Sequence, residues 1–191
     1  MLGSVIARGL DYRETFQVFK PGFELPRERQ KRIDAGVGEW FGESDLYPDV
    51  RPALSGLREL GALVGIAGNQ PARAGQILRA LDLPVDFIAT SDEWRVQKPD
   101  PEFFERVIEA AGVRADEIVY VGDRVDNDLA PAKVSGLRTV FVKRGPWGWI
   151  HRDNPEVAEL CDWRIDSLEE LVGIVASDNR GSDIPRPVQG G

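Results

Sequence analysis

The strongest constraint on the fold is an alternation between short apolar runs and helical segments with one apolar face, repeated from Pro48 to Val175. Four apolar runs lie in this region, at residues 62–67, 85–90, 118–121 and 138–142. Helical periodicity separates one run from the next, and a chain that alternates in this way builds a parallel sheet, because each helix returns it to the same end of the sheet. The pattern predicts an α/β fold with helices on both faces of the sheet.

The two flanks of this core have a different composition. Residues 1–44 carry a helical stripe that includes Ile33 and Trp40, with no strand signal, so they are predicted to form a helical appendage. From residue 177 to 191 the chain is rich in Ser, Asp, Gly and Pro without periodic apolar residues, which predicts a disordered tail. The α/β core is therefore assigned to residues 45–176.

The net charge limits the partners of the protein. The 191 residues carry a formal charge of −8, which disfavours binding to nucleic acid or to an anionic membrane. A small phosphate compound is still compatible with this charge, because a bound cation and backbone N–H groups can make one electropositive cleft. No run reaches the ~18 apolar residues of a membrane helix and no signal peptide is evident, so a cytoplasmic location is predicted.

A cluster of carboxylates follows the third apolar run. Asp123 comes directly after the sequence VYVG, and Asp126 and Asp128 lie within the next five residues. Ligands bind at the carboxyl ends of the strands in open α/β sheets, and several carboxylates in close proximity favour a cation such as Mg²⁺. The alternative interpretation is structural: Asn127 or Asp128 caps a helix and Asp123 ends a strand in solvent.

Two further segments place polar groups after apolar runs. Gly68 and Asn69 follow the first run, at a turn that starts a new helix. Lys98 precedes Pro99, which forces it into an extended conformation. Taken alone, a lysine at this position is more often an exposed surface residue.

Taken together, these segments resemble the haloacid dehalogenase (HAD) superfamily over residues 46–172. The motifs that carry the resemblance follow in the order expected for that family, at residues 46–50, 65–69, 98–101 and 122–128. The resemblance implies a Rossmann-like three-layer sheet with a small helical cap, of which residues 1–44 would be a part. It also implies a hydrolase, most often a Mg²⁺-dependent phosphatase acting on a small phosphorylated metabolite.

The resemblance also implies roles for individual residues. Asp123 would bind Mg²⁺, and Asp128 would be a second ligand or its hydrogen-bonded support. Lys98 would act in catalysis by holding the nucleophile and the transferring oxygens. Gly68, Asn69 and Lys98 would bind phosphate. Gly68 departs from the family pattern, which has Ser or Thr there, so this chain would rely on backbone N–H groups and the Asn69 amide.

The chain departs further from the family pattern near its N-terminus. The family mechanism needs a nucleophilic Asp and a second Asp two residues later, after a central first strand. The nearest segment here has Arg8 and Leu10 at those positions. A central strand buries about five side chains, and its loss would remove roughly 7–15 kcal/mol. We therefore expect an N-terminally truncated chain that is inactive alone, or alternatively a non-catalytic binding or regulatory protein.

Three side chains after the fourth apolar run have no settled role at this point. Trp147 and Trp149 lie in a Gly-Pro segment and either flank a substrate or cover the end of the sheet. His151 is either a surface residue or a catalytic base. An unpaired strand edge is also compatible with homo-oligomer formation.

Overall fold

The computed structural model describes residues 16–17, 20–38 and 40–182, with side chains through residue 178. The strands of the described part are β1 (Gly65–Gly68), β2 (Phe87–Thr90), β3 (Val119–Gly122), β4 (Arg138–Val142) and β5 (Trp163–Ile165). The α-helices are α1 (Leu25–Asp34), α2 (Val50–Glu59), α3 (Ala72–Ala80), α4 (Ser91–Trp94), α5 (Pro101–Ala111), α6 (Ala130–Val134), α7 (Gly145–His151), α8 (Pro155–Leu160) and α9 (Leu168–Ser182). One turn of π-helix, Val125–Leu129, leads into α6.

All strand pairs in the described residues are parallel. β1 pairs with β2, and β3 pairs with β4, which pairs with β5. Gly68 lies opposite Thr90 and Gly122 lies opposite Phe141, so the strands of each sheet end together. Within the described part of the chain, β1 and β3 each pair with one strand only. The predicted α/β fold with parallel strands and helices on both faces is confirmed.

Helix α5 shows how local sequence sets these elements. Asp100 caps its N-terminus by accepting a hydrogen bond from the backbone N–H of Glu102, and Pro101 occupies the first turn, where no N–H is needed. Gly112 ends the helix at a φ of 66°, a left-handed conformation that favours glycine. The apolar face of α5, which includes the fully buried Phe103 and Phe104, packs into the core.

Two apolar clusters connect the two sheets. In one cluster Val64, just before β1, joins Val140 of β4 and Leu171 of α9, and partly buried Val121 packs against the same cluster. In the other, Ala67 of β1 packs against the cluster that contains Tyr120 of β3. Burial of apolar side chains between the sheets therefore holds β1 and β3 within one core.

The C-terminal helix is longer than expected. We predicted helix to Val175 and disorder from residue 177, but α9 continues to Ser182, so that prediction is wrong for residues 177–182. The Asp178 carboxylate accepts a hydrogen bond from Arg138 of β4 at 2.5 Å, which ties this end of the helix to the sheet. Residues 177–182 have no apolar stripe, but they also contain no proline that would interrupt the helix. The contact between Asp178 and Arg138 is therefore enough to extend it. Residues 183–191 lie outside the described residues.

The N-terminal flank contains α1, which buries none of its residues. The rings of Phe16 and Phe23 stack with their centroids 5.0 Å apart. The Gln17 side chain accepts a hydrogen bond from the Gly22 N–H, across the turn that precedes α1. Residues 1–15 lie outside the described residues, so the partial cap at residues 1–44 stays a prediction. No helix in the described part of the chain has the length and apolar character needed to cross a membrane.

Candidate active site

Asn69 and Lys98 bring two loops together at the carboxyl end of β1. The Lys98 N–H donates to the Asn69 side-chain oxygen at 2.8 Å, and the Asn69 amide nitrogen donates to the Lys98 carbonyl at 2.9 Å. This pair of hydrogen bonds fixes the backbone of Lys98 beside the end of the strand. One of the two N–H groups of the Asn69 amide is used in this contact, so Asn69 positions Lys98, and its assignment to phosphate binding stays a prediction.

Lys98 and Asp128 form a buried ion pair. The Lys98 Nζ lies 2.6 Å from Asp128 Oδ1, and the two side chains are only 12% and 4% exposed. The ammonium group also lies 5.7 Å from the ring centroid of Tyr120 and 5.8 Å from that of Phe103. Burial lowers the pKa of Lys98, but attraction to Tyr120 and Asp128 outweighs burial and the pKa is raised. Lys98 is therefore a fixed buried cation, and not the exposed lysine of the alternative interpretation.

Asp128 reaches this position because β3 ends in a glycine. A Cβ atom added to Gly122 would lie 2.4 Å from the Asp128 Cβ, so no other residue fits there without a shift. The second oxygen of Asp128 accepts a hydrogen bond from the Arg124 N–H at 3.0 Å. Because both carboxylate oxygens already have partners, Asp128 fits the role of support better than that of a metal ligand.

Asp123 is the carboxylate that lacks a partner. Within the described residues no side chain forms an ion pair or a hydrogen bond with its carboxylate. Burial raises the pKa of Asp123 to about 6, and repulsion by Asp128 adds to the shift, while Lys98 and Arg124 oppose it. A half-buried carboxylate that is costly to ionise fits a bound divalent cation. The described part of the chain holds no group of three or more His, Cys, Asp or Glu side chains arranged around a metal, so waters or a ligand would complete the coordination.

Gly68 leaves open space at the carboxyl end of β1. A Cβ atom added to it would meet only Gln70 Cγ, at 3.8 Å. Tyr120 of the neighbouring β3 was not predicted as part of the site, although burial raises its pKa to about 12. Its position in an apolar strand gave no sequence signal. Gly68 and Asp123 are thus at or next to the strand ends predicted for them, and hydrogen bonds hold Lys98 and Asp128 beside these ends.

Helix α7 covers the end of β3 and β4 beside Asp123. The Arg124 guanidinium lies 4.1 Å from the ring centroid of Trp147, and the His151 ring stacks on Trp147 with centroids 5.8 Å apart. Trp149 is 56% exposed, with Lys143 and Arg152 near its ring. The structure separates the two tryptophans that the sequence left undecided: Trp147 is near the site and Trp149 faces solvent.

Sequence reasoning missed a second buried ion pair near the same edge. Arg144, just after β4, donates two hydrogen bonds to Asp49, which also accepts from the Ser167 hydroxyl and the Leu168 N–H. These donors hold the pKa of Asp49 well below its usual range, with Arg144 the largest cause. The partners are 95 residues or more apart in sequence, so no local pattern could have revealed the network.

Comparison with known proteins agrees with this geometry. The family model of the haloacid dehalogenase-like hydrolases matches residues 10–136. The chain is 36% identical over 132 residues to a glyceraldehyde 3-phosphate phosphatase of Methanocaldococcus jannaschii, covering 68% of this chain and 56% of that protein. It is 30% identical over 188 residues to the protein of the same name from Pyrococcus abyssi, covering 95% and 77%. The chain belongs to the haloacid dehalogenase-like hydrolases.

Solved structures share the fold. A HAD phosphatase from Thermococcus onnurineus superimposes with a TM-score of 0.57 at 22% identity, covering 91% of this chain and 87% of that one. A dehalogenase superimposes with a TM-score of 0.62, also at 22% identity, covering 90% and 71%. At such identities the likeness concerns the fold alone. The chain spans little more than half the length, 56%, of the Methanocaldococcus jannaschii phosphatase.

Proposed function

We propose that this edge of the protein is the phosphate-binding and Mg²⁺-binding side of a phosphohydrolase that acts on a small phosphorylated metabolite. The single observation that carries the proposal is the arrangement of Lys98 and Asp123: a fixed buried cation, and near it a half-buried carboxylate that no other side chain of the described residues bonds. A phosphate ester brings negative charge to the first of these groups, and Mg²⁺ brings positive charge to the second. The names of the phosphatases to which the chain is similar support the same class of substrate.

Each residue has one role in this proposal. Asp123 binds Mg²⁺, which when bound would neutralise phosphate oxygens and so lower the barrier to attack by an anion. Lys98 holds a phosphate oxygen by charge, and Asp128 and Asn69 position Lys98 through its side chain and its backbone. The backbone N–H groups that follow Gly68 supply the remaining donors, since the chain has no hydroxyl there.

The experiment that tests the proposal is calorimetric titration of Mg²⁺ into the wild-type protein and two variants. Asp123→Asn removes the carboxylate charge at the site, and we expect it to weaken Mg²⁺ binding by at least tenfold. Asp153→Asn is the matched control, because it makes the same chemical change at a side chain that is 83% exposed and paired with Arg152. Equal Mg²⁺ affinity in the wild type and Asp123→Asn would remove the metal assignment.

A further inference from the structure

Arg124 is held in one orientation beside the proposed phosphate site. Its guanidinium lies 4.1 Å from the ring centroid of Trp147, and its backbone N–H donates to Asp128. Arg124 directly follows Asp123 in the chain. An arginine that lies against an aromatic ring keeps its edge donors in a fixed plane. The guanidinium is therefore prearranged to meet a flat anion at the rim of the site.

A carboxylate already occupies two of those donors. Asp126 accepts hydrogen bonds from Arg124 Nε at 3.1 Å and from Arg124 Nη2 at 2.6 Å. The Asp126 side chain is 64% exposed and that of Arg124 is 23% exposed. Exposed ion pairs contribute little to stability, so another carboxylate can replace Asp126 at small cost. Arg124 Nη1 donates to no residue in the described part of the chain, which leaves a further donor for a ligand.

Helix α7 supplies the wall behind Arg124. Its first residue, Gly145, lies so close to Asp123 that a Cβ atom added there would be 3.7 Å from the Asp123 Oδ2. His151, at its other end, stacks on Trp147 and has a buried Nε2 that forms no hydrogen bond with the described residues. Gly148 allows the helix to lie against the end of β4, since a Cβ atom there would lie 2.9 Å from the Lys143 carbonyl carbon. Trp147 is thus fixed in place, and it fixes Arg124.

We propose that Arg124, supported by Trp147, is a subsite for a carboxylate on the substrate, so that the protein prefers phosphorylated compounds that also carry a carboxylate. This inference rests on the proposed function, because the phosphate of the same molecule would bind at Lys98 and Asp123. The carboxylate would replace Asp126 on the guanidinium in a bidentate contact. Asp126 then acts as an internal competitor for the subsite.

The test compares 3-phosphoglycerate with glycerol 3-phosphate, which have three carbons and one phosphate each and differ in the carboxylate. Affinities are measured by calorimetry in Mg²⁺ with the 191-residue protein, and inorganic phosphate is titrated in parallel. We expect wild type to prefer 3-phosphoglycerate by on the order of tenfold or more, the value of a charge-assisted hydrogen bond. Arg124→Gln should bring the ratio of the two affinities towards one while inorganic phosphate binds as before.

Three further variants separate geometry from charge. Arg124→Lys keeps the charge but loses the planar fork, so its ratio should fall between those of the wild type and Arg124→Gln. Asp126→Asn should raise the ratio, because it removes the competitor. Arg152→Gln removes an arginine charge at the far end of α7, where Arg152 is 46% exposed, and should leave the ratio unchanged.

The outcomes distinguish this inference from the proposed function. If inorganic phosphate binds in wild type but the affinity ratio is near one, or is the same in Arg124→Gln, the carboxylate subsite is wrong and the phosphate site stands. If Arg152→Gln lowers the ratio as much as Arg124→Gln does, the preference comes from overall charge and the subsite is again wrong. If neither inorganic phosphate nor either ester binds, the proposed function and the subsite are both wrong.

Discussion

At the scale of single residues, the site depends on how Lys98 and Asp128 share a buried environment. Both side chains are at least 88% buried, given exposures of 12% and 4%, and their charged atoms are 2.6 Å apart. Water cannot stabilise either charge at this position, so each group depends on the other. The backbone hydrogen bonds to Asn69 place the lysine before any ligand arrives. The pair is thus a structural element, and in the proposed function its lysine also binds phosphate.

Removing one member of this pair should cost more than removing both. We expect Lys98→Met to lower the free energy of unfolding by about 3–5 kcal/mol, because it leaves the Asp128 carboxylate buried without a counter-ion. The double variant Lys98→Met with Asp128→Asn should recover most of that loss. Urea unfolding of the wild type, both single variants and the double variant measures the coupling. Additive effects of the two substitutions would contradict a direct buried ion pair.

Asp123 should make stability depend on pH in a way that reverses with Mg²⁺. Burial raises its pKa to about 6 from an ordinary value of 3.8, so between these values the folded state keeps a proton that the unfolded state has lost. The stability that Asp123 contributes is fully present below its pKa in the unfolded state. It is lost as pH rises through its pKa in the folded state. Without metal, we expect the unfolding free energy of the wild type to fall relative to that of Asp123→Asn as pH rises from 4 to 6.5.

The control for the pH effect is the same pair of proteins in excess Mg²⁺. A bound cation favours the ionised carboxylate, so wild type should gain stability above pH 6 relative to Asp123→Asn. Other titrating groups are present in both proteins, so their contributions cancel in the difference. One of them is His151, and burial lowers the pKa of its imidazole. A difference that does not vary with pH would show that the Asp123 carboxylate is not buried as described.

At the scale of elements, sequence patterns predicted the strands well where apolar runs were short and bounded. The predicted limits of β4, residues 138–142, match the structure. The first run was predicted as residues 62–67, whereas β1 is Gly65–Gly68, because the Val64 N–H donates to the Asp86 side chain and only the Val64 carbonyl bonds the Asp86 backbone. Helix propensity alone predicted an end of α9 that is too early. The contact that holds Asp178 involves Arg138, which lies on a strand distant in sequence.

The strand ends themselves were predictable, but their closest contacts were not. The apolar runs predicted Gly68 and Asp123 at the ends of two strands, as the structure has them, whereas the roles of Lys98 and Asp128 came from the family resemblance. The hydrogen bonds between Asn69 and Lys98, and the stacking of Arg124 on Trp147, depend on loops that approach each other only in the folded chain. Local sequence carries no information on such distant pairs.

The approach of the π-helix to the end of β3 gives a test at the scale of elements. Gly122→Ala places a Cβ atom 2.4 Å from the Asp128 Cβ, so the turn must move and Asp128 must leave Lys98. We expect this variant to lose stability by about 1–3 kcal/mol, in the range of overpacked cores, and to bind Mg²⁺ more weakly. Urea unfolding and calorimetry measure the two effects.

Gly68→Ala is the matched control for this substitution. It adds the same methyl group at the end of the other sheet, where the nearest atom is 3.8 Å away. Its unfolding free energy should stay within about 0.5 kcal/mol of the wild type, as is usual away from packed sites. Equal loss of stability in both variants would mean that Asp128 does not depend on close contact with Gly122.

At the scale of the whole molecule, two parallel sheets share apolar clusters and meet at the edge that carries the proposed site. Val64 and Val140 belong to the same cluster although their strands lie in different sheets. In the described residues β1 and β3 pair on one side only, and Lys98 and Asp128 bridge the ends of these strands. The arrangement assembles the binding groups of the site from four segments that are distant in sequence.

Turnover is a separate property from binding in this molecule. Asp11 and Glu14, the early acidic residues nearest to Arg8 and Arg13, lie outside the described residues, and the sequence places neither at the end of an apolar strand. Since neither residue fits the nucleophile of the family pattern, we predict that Mg²⁺-dependent hydrolysis of an aryl phosphate by the 191-residue protein stays near background. An enzyme without its nucleophile loses several powers of ten in rate. Robust hydrolysis that disappears in Asp123→Asn would show that another residue serves as the nucleophile.

The most direct test of the central claim is the affinity for inorganic phosphate, measured by calorimetry with and without Mg²⁺ in wild type and in Asp123→Asn. The claim is that Lys98 and a cation on Asp123 bind the same phosphate. We therefore predict that Mg²⁺ raises phosphate affinity in wild type by about tenfold or more, the usual range of coupling between two bound ligands, and that Asp123→Asn abolishes the increase. Phosphate affinity that is the same with and without Mg²⁺ in wild type would contradict the claim.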